Sequence, residues 1–225
     1  MGAGYSFNLR VLLPYFSDLG WGAVVTLELS VLAILISFPL GLIGALMRLS
    51  GNKVSRGLAT TYVEAVRNIP ILVLLYILFY ALPAYGVPIG AFTAGMLGLA
   101  INSTAYTTEI FRGGFAAIPA AQYEAARALG LRPIPIFLQV IFPQVFRVVL
   151  PTLGNQIVSV VLASAQASII GVGELTYETQ SIGSKTFRYF ELFGLAALFY
   201  IACVQLIAVF WRLFTRGAAR TLSAR

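Results

Sequence analysis

The chain has 225 residues, 59% of them hydrophobic and 10% charged, with a formal net charge of +7 and a mean hydropathy of +0.89. Soluble domains are about a quarter charged, so the composition excludes a soluble protein and predicts an all-α polytopic membrane protein of one domain, residues 1–225. The absence of His removes any imidazole base or His-ligated metal, and the lone Cys203 removes an internal disulfide.

The opening MGAGYS fits the N-myristoylation pattern through Gly2 and Ser6, a short pattern often met by chance. It lacks the basic start and apolar run of a signal peptide. About 20 mostly apolar residues cross the hydrocarbon core. A first span is predicted over 21–47, because Leu29–Met47 carries no charge and Glu28 is accommodated near the start. The next charge-free stretch, 68–108, is too long for one helix. Its ALPAYGVPIG segment (81–90), with two Pro and two Gly, divides it into spans over 59–82 and 89–111.

Ionisable groups within a membrane are functional candidates by default. On the second span, Glu64 and Arg67 stand at i, i+3 and can pair on one face. They either line a translocation path or form a structural ion pair near the end of the span. Pro70 should kink the helix just beyond them. On the third span, Asn102, Tyr106 and Glu109 fall on one stripe flanked by Ser103 and Thr107. That stripe faces either a path or a neighbouring helix. Glu109, close to Arg112, favours the second role.

Residues 112–147 leave the membrane. Within them a short helix is predicted over 119–131. Pro119 suits its first turn, Gly130 its C-terminal cap, and Pro133 and Pro135 forbid its continuation. One flank is small (Ala120, Ala121, Ala125, Ala126), with Glu124 and Arg127 on the polar side. So short a helix is marginal in water and needs a partner surface. That surface is a groove in another protein, the lipid surface, or the rest of the chain. A fourth span over 148–169 carries Asn155, Gln156, Ser159, Ser164, Gln166 and Ser168. A Gly-rich outer segment, 170–191, precedes a fifth span over 191–212.

Five spans place the termini on opposite sides, and basic residues decide which. The 48–56 loop, the 112–147 segment and the tail after the fifth span together hold eleven Lys or Arg. The opposite side holds three: Arg10, Lys185 and Arg188. The N-terminus is therefore expected outside and the C-terminus in the cytoplasm.

Several stretches carry a resemblance. Glu124-Ala125-Ala126, then Gly130, an aliphatic Val140 and Pro143 resemble the "EAA" loop of type I ATP-binding cassette importer permeases. YVEAVRNIPILVLLY (62–76), NSTAYTTEIFRGG (102–114), QYEAARALGL (122–131) and SIIGVGEL (168–175) are similar to its polar amino acid uptake subfamily, the histidine, glutamine and arginine permeases. The resemblance covers most of the chain. It implies a permease of the bacterial cytoplasmic (inner) membrane that moves polar amino acids by alternating access. It implies as partners a second or sister permease, two ATPase subunits that hold ATP and Mg, and an extracellular binding protein. The chain itself would bind no cofactor. Gln122, Tyr123, Glu124, Ala125, Ala126 and Gly130 would form the coupling contact to the ATPase. Glu64, Arg67, Asn102, Tyr106, Ser164, Gln166 and Ser168 are the candidates for the substrate pathway. LASAQAS (162–168) departs from relatives that read like Lys-Asp-Thr-Ser here, which leaves this segment neutral.

A membrane-embedded enzyme would need a nucleophile beside a base or a metal cluster, and none is visible. The chain lacks a phosphate-binding Gly-x-x-x-x-Gly-Lys-Ser/Thr motif, so it does not hydrolyse ATP through a P-loop. A channel or assembly scaffold remains as the alternative, although neither requires the short cytoplasmic helix.

Overall fold

The computed structural model describes residues 8–223, so Gly2, Ser6 and Arg225 lie outside the described residues. All regular elements among those residues are helical. A 3-10 turn, Leu9–Tyr15, leads into α1 (Phe16–Leu49). α2 (Lys53–Asn68) starts at Asn52, whose side chain accepts from the N–H of Val54 at 2.9 Å. It stops where Ile69, restricted by the following Pro70, turns extended. α3 (Ile71–Tyr76) continues through a π-helical stretch into α4 (Leu82–Ala84), and the Pro/Gly segment then breaks the chain as expected. α5 (Ala91–Ala116), α6 (Ala120–Ala128), α7 (Pro133–Pro135) and α8 (Phe142–Ala163) follow. A 3-10 stretch, Ser164–Ile170, precedes α9 (Leu175–Thr186) and α10 (Tyr189–Ser223).

Three stretches are long and apolar enough to cross a membrane: Arg10–Leu49, Pro133–Ile170 and Tyr189–Thr215. A fourth is reached if α2 and Ile71–Ala84 count as one broken span. α5 has the length at 26 residues, but its polar positions between Asn102 and Arg112 make it too hydrophilic for that set. α6 is shorter than the predicted 119–131. Pro119 is its N-cap, and Gly130, at φ 76°, ends it. There the N–H of Gly130 donates to Arg127 at 2.9 Å and that of Leu131 to Ala126 at 3.2 Å, the paired bonds of a left-handed cap. Pro133 and Pro135 do stop α6, but they also open the next helix, where a missing N–H costs nothing. The fourth apolar helix therefore begins well before 148.

Internal contacts divide the chain into two compact units. The first comprises Met1–Leu32, Ile71–Leu99 and Val160–Leu206. Its core gathers Leu12, Leu19, Leu175, Ile182, Leu192 and Ala196, with Phe16 tilted on Phe199 at 6.3 Å between ring centroids. The second comprises Ala33–Pro70, Ala100–Ser159 and Ile207–Arg225. Its core joins Ala45, Phe111, Phe115, Ile136, Ile141, Val145, Val149 and Leu153, with Trp211 edge-on to Phe38. Here α1 and α5 touch almost backbone to backbone. A Cβ at Gly41 would stand 2.5 Å from Thr107 Cγ2, and one at Gly44 would stand 2.5 Å from Thr108 Oγ1.

Candidate functional site

In the second unit, α2 is pinned to α5 by Tyr62, whose hydroxyl donates to the Ile101 carbonyl at 2.7 Å. This brings the last turn of α2 beside α5 and holds the Arg67 guanidinium 5.2 Å above the Tyr106 ring, within cation–π range. α8 supplies the facing wall. Together they line an open cavity of about 510 Å³, within the roughly 300–1,000 Å³ of small-molecule sites. Its polar lining comes from Arg67, Tyr106, Glu109, Thr152, Asn155, Gln156 and Ser159. Gly113 leaves the α5 side open, Gly114 lets Val149 of α8 pack against the α5 backbone, and Val148 and Val149 add apolar surface.

Glu109 is held from two directions. It pairs with Arg48 of α1 and with Arg112, whose Nε and Nη2 donate to Oε2 at 3.0 and 2.9 Å. Gln156 Nε2 donates to Ser103 Oγ at 3.2 Å, which fixes the amide at the cavity wall.

Of the pathway candidates, Arg67 and Tyr106 come together at this cavity. Asn102 is half-buried in the same unit but not in the lining. The i, i+3 ion pair of Glu64 with Arg67 does not form: both side chains are exposed, and Arg67 turns to Tyr106. Ser164, Gln166 and Ser168 belong to the first unit. Ser164 donates to Val161 O and Ser168 to Ala165 O, both at 2.7 Å, as expected where a helix tightens into 3-10 geometry. The stripe of Thr152, Asn155, Gln156 and Ser159 lines the cavity, although the sequence reading gave it no pathway role. Its spacing of three to four residues along α8 was the available signal.

α6 packs Ala126 and half of Tyr123 into the core of the second unit and leaves Gln122, Glu124 and Ala125 outward. Leu129 beyond it is 81% exposed. A short helix thus presents an exposed face on an anchored base.

The first unit holds a polar cluster that the sequence did not reveal. Glu174 is fully buried and caps α9, its Oε1 accepting from the N–H of Tyr177 at 2.8 Å. Its Oε2 accepts from Tyr200 Oη at 2.8 Å and weakly from Thr26 Oγ1 at 3.5 Å. Burial pushes the Glu174 carboxyl above the usual carboxylate range, and the donors around it oppose that shift.

A multi-span helical chain with a polar-lined cavity and a short presented helix has the features of a membrane transport component. Residues 37–220 match the family described as binding-protein-dependent transport system inner membrane component, and the chain belongs to it. It is the multi-pass permease subunit of an ATP-binding cassette importer, in which the ATPase is a separate subunit. It is similar to the probable amino-acid ABC transporter permease protein YckA of Bacillus subtilis strain 168, 34% identical over 96% of this chain and 95% of that protein. It is likewise 34% identical to the probable glutamine ABC transporter permease protein GlnM of the same organism, over 86% of this chain and 90% of that one. In structure it is similar to an amino acid ABC transporter crystallised with histidines, with a TM-score of 0.86 and 37% identity, covering 94% of this chain and 99% of that one.

Proposed function

We propose that this permease imports polar amino acids by alternating access, with the second-unit cavity on the route. The observation that carries the reading is that cavity: a space of small-molecule size whose wall brings polar side chains from three helices together in a largely apolar chain. The names of the relatives supply the cargo class. Arg67 and Tyr106 face the cargo, while Glu64, Asn102, Ser164, Gln166 and Ser168 belong to other stages of the route. Five spans, with α5 among them, put the N-terminus outside and the C-terminus in the cytoplasm in a single permease domain. The partners are a second or sister permease, two ATPase subunits carrying ATP and Mg, and an extracellular binding protein.

Coupling runs through α6. Gln122, Glu124 and Ala125 meet the ATPase, Tyr123 and Ala126 anchor the helix, and Gly130 turns the chain back. ATP biases the transporter only through different affinities for its inward and outward states. The test is reconstitution with the ATPase and binding protein. Gly130→Pro removes a capping donor and forbids the positive φ. Ala125→Trp overfills a groove at about 1–3 kcal/mol where the contact is tight. Both variants should insert normally and lose substrate-stimulated ATP hydrolysis and uptake. Full uptake by both would reduce α6 to a connector. A reporter fused after Arg225 should read cytoplasmic and one within 81–90 outside; the reverse would sink the topology.

A further inference from the structure

We infer that Arg67 reads the carboxylate of the cargo and that the cargo is an amino acid with a neutral or acidic side chain. The inference rests on the cavity being a cargo site. Around the cavity the charges are uneven. Glu109 is its one lining acid, and that carboxylate is already shared by Arg48 and Arg112. Among the described residues Arg67 makes no ion pair, and Glu64, one turn back on α2, does not take it. The lining thus holds one guanidinium without an ion pair, Arg67, and one carboxylate, Glu109, already bridged by two guanidinium groups that lie outside the lining.

The geometry suits a carboxylate ligand. The Arg67 guanidinium carbon lies 5.2 Å from the Tyr106 ring centroid, a cation–π contact that leaves its N–H donors unused. A planar fork of N–H donors matches the two oxygens of a carboxylate, and stacking on an aromatic ring costs it none of that capacity. The α8 wall opposite offers Thr152, Asn155, Gln156 and Ser159, all neutral. Asn and Gln both donate and accept, so they suit the polar neutral end of a side chain. A cationic side chain would find no free carboxylate there and would add to the excess positive charge.

The decisive measurement uses the assembled permease–ATPase complex in lipid nanodiscs, without binding protein, and equilibrium binding of radiolabelled L-glutamine. Unlabelled L-glutamine, L-lysine and L-glutaminamide, which has an amide in place of the α-carboxylate, then compete. Losing a charge-assisted hydrogen-bonded contact weakens binding on the order of 10- to 100-fold. L-glutaminamide and L-lysine should therefore compete that much worse than L-glutamine. Arg67→Gln should weaken L-glutamine by a similar factor and leave L-glutaminamide unchanged, with Arg67→Lys intermediate. The comparison of ligands on the unaltered protein needs no variant to fold. Equal competition by L-lysine overturns the inference, as does an equal loss of L-glutamine and L-glutaminamide in Arg67→Gln. Amino acid binding that ignores Arg67 overturns this inference alone. Absence of any amino acid binding to the unaltered complex overturns the cargo reading of the cavity with it.

Discussion

Glu109 in the second unit is bridged by two guanidinium groups and is 19% exposed, whereas Glu174 in the first is fully buried and meets only hydroxyls and backbone N–H. Both carboxylates are satisfied, but by different physics. An acid between two arginines is held by ion pairs from two helices. An acid among neutral donors is held by hydrogen bonds, and burial favours its protonated form. The first arrangement suits a cavity that sorts charge. The second works as a staple, tying α9 to α1 through Thr26 and to α10 through Tyr200.

The largest expected effect comes from Glu109→Gln, which strands Arg48 and Arg112. Breaking a buried pair costs up to about 3–5 kcal/mol. Thermal unfolding in detergent should therefore fall much further for Glu109→Gln than for Glu174→Gln, which keeps an acceptor at the α9 cap and costs about 1 kcal/mol. The opposite order would break the comparison.

Tyr200→Phe comes next. It leaves Glu174 Oε2 with only the long Thr26 contact and frees Thr176, which lies 2.7 Å from the same hydroxyl. A buried acceptor left short costs about 1–3 kcal/mol. Hydrogen exchange should show the loss in α9 and leave α6 as protected as before.

The pH response tests the Glu174 staple. The folded Glu174 carboxyl titrates above its unfolded value. Between those two values the folded chain holds a proton that the unfolded chain has lost. Stability is thus greatest below the unfolded value and falls as pH rises through the folded one. Melting temperature should decline with rising pH across that window and flatten in Glu174→Gln. An unchanged slope would mean that Glu174 is ionised throughout. The smallest effect belongs to the other end of α9, where Phe187 sits at φ 57°. Phe187→Gly should relieve strain and raise stability by at most about 1 kcal/mol. A larger gain would shift the anchorage of α9 from Glu174 to its C-terminal turn.

Local chemistry was legible in the sequence. Pro70 broke the helix, 81–90 separated two helices, and Gly130 took the left-handed cap, because each depends on a residue's own backbone preferences. Pairings across the chain were not legible. Glu64 and Arg67 satisfy the spacing rule for an ion pair, yet Tyr106, 39 residues further on, takes the guanidinium. Glu174 and Thr26 are 148 residues apart, and no periodicity links them. Ser164 and Ser168 have the spacing of a polar stripe, but in the 3-10 stretch they donate to the carbonyls of Val161 and Ala165, three residues back. Of the cavity, the α5 stripe was read from spacing, whereas Asn155, Gln156 and Ser159 of α8 were named only as polar residues and Thr152 was not named. Their meeting with Arg67 was not legible, because Tyr62 and its bond to Ile101 set it.

The seam of Gly41 and Gly44 against Thr107 and Thr108 has a mechanical consequence. Where side chains separate two helices, a shift of one can be absorbed by rotamer changes in the layer between them. Along this seam that layer is reduced to the threonines of α5 alone: a single added methyl on α1 would already overlap them. The ion pair of Arg48 with Glu109 fastens the same two helices near the end of α1. Over this length a shift of α5 along α1 has to move the threonines and the ion pair with it.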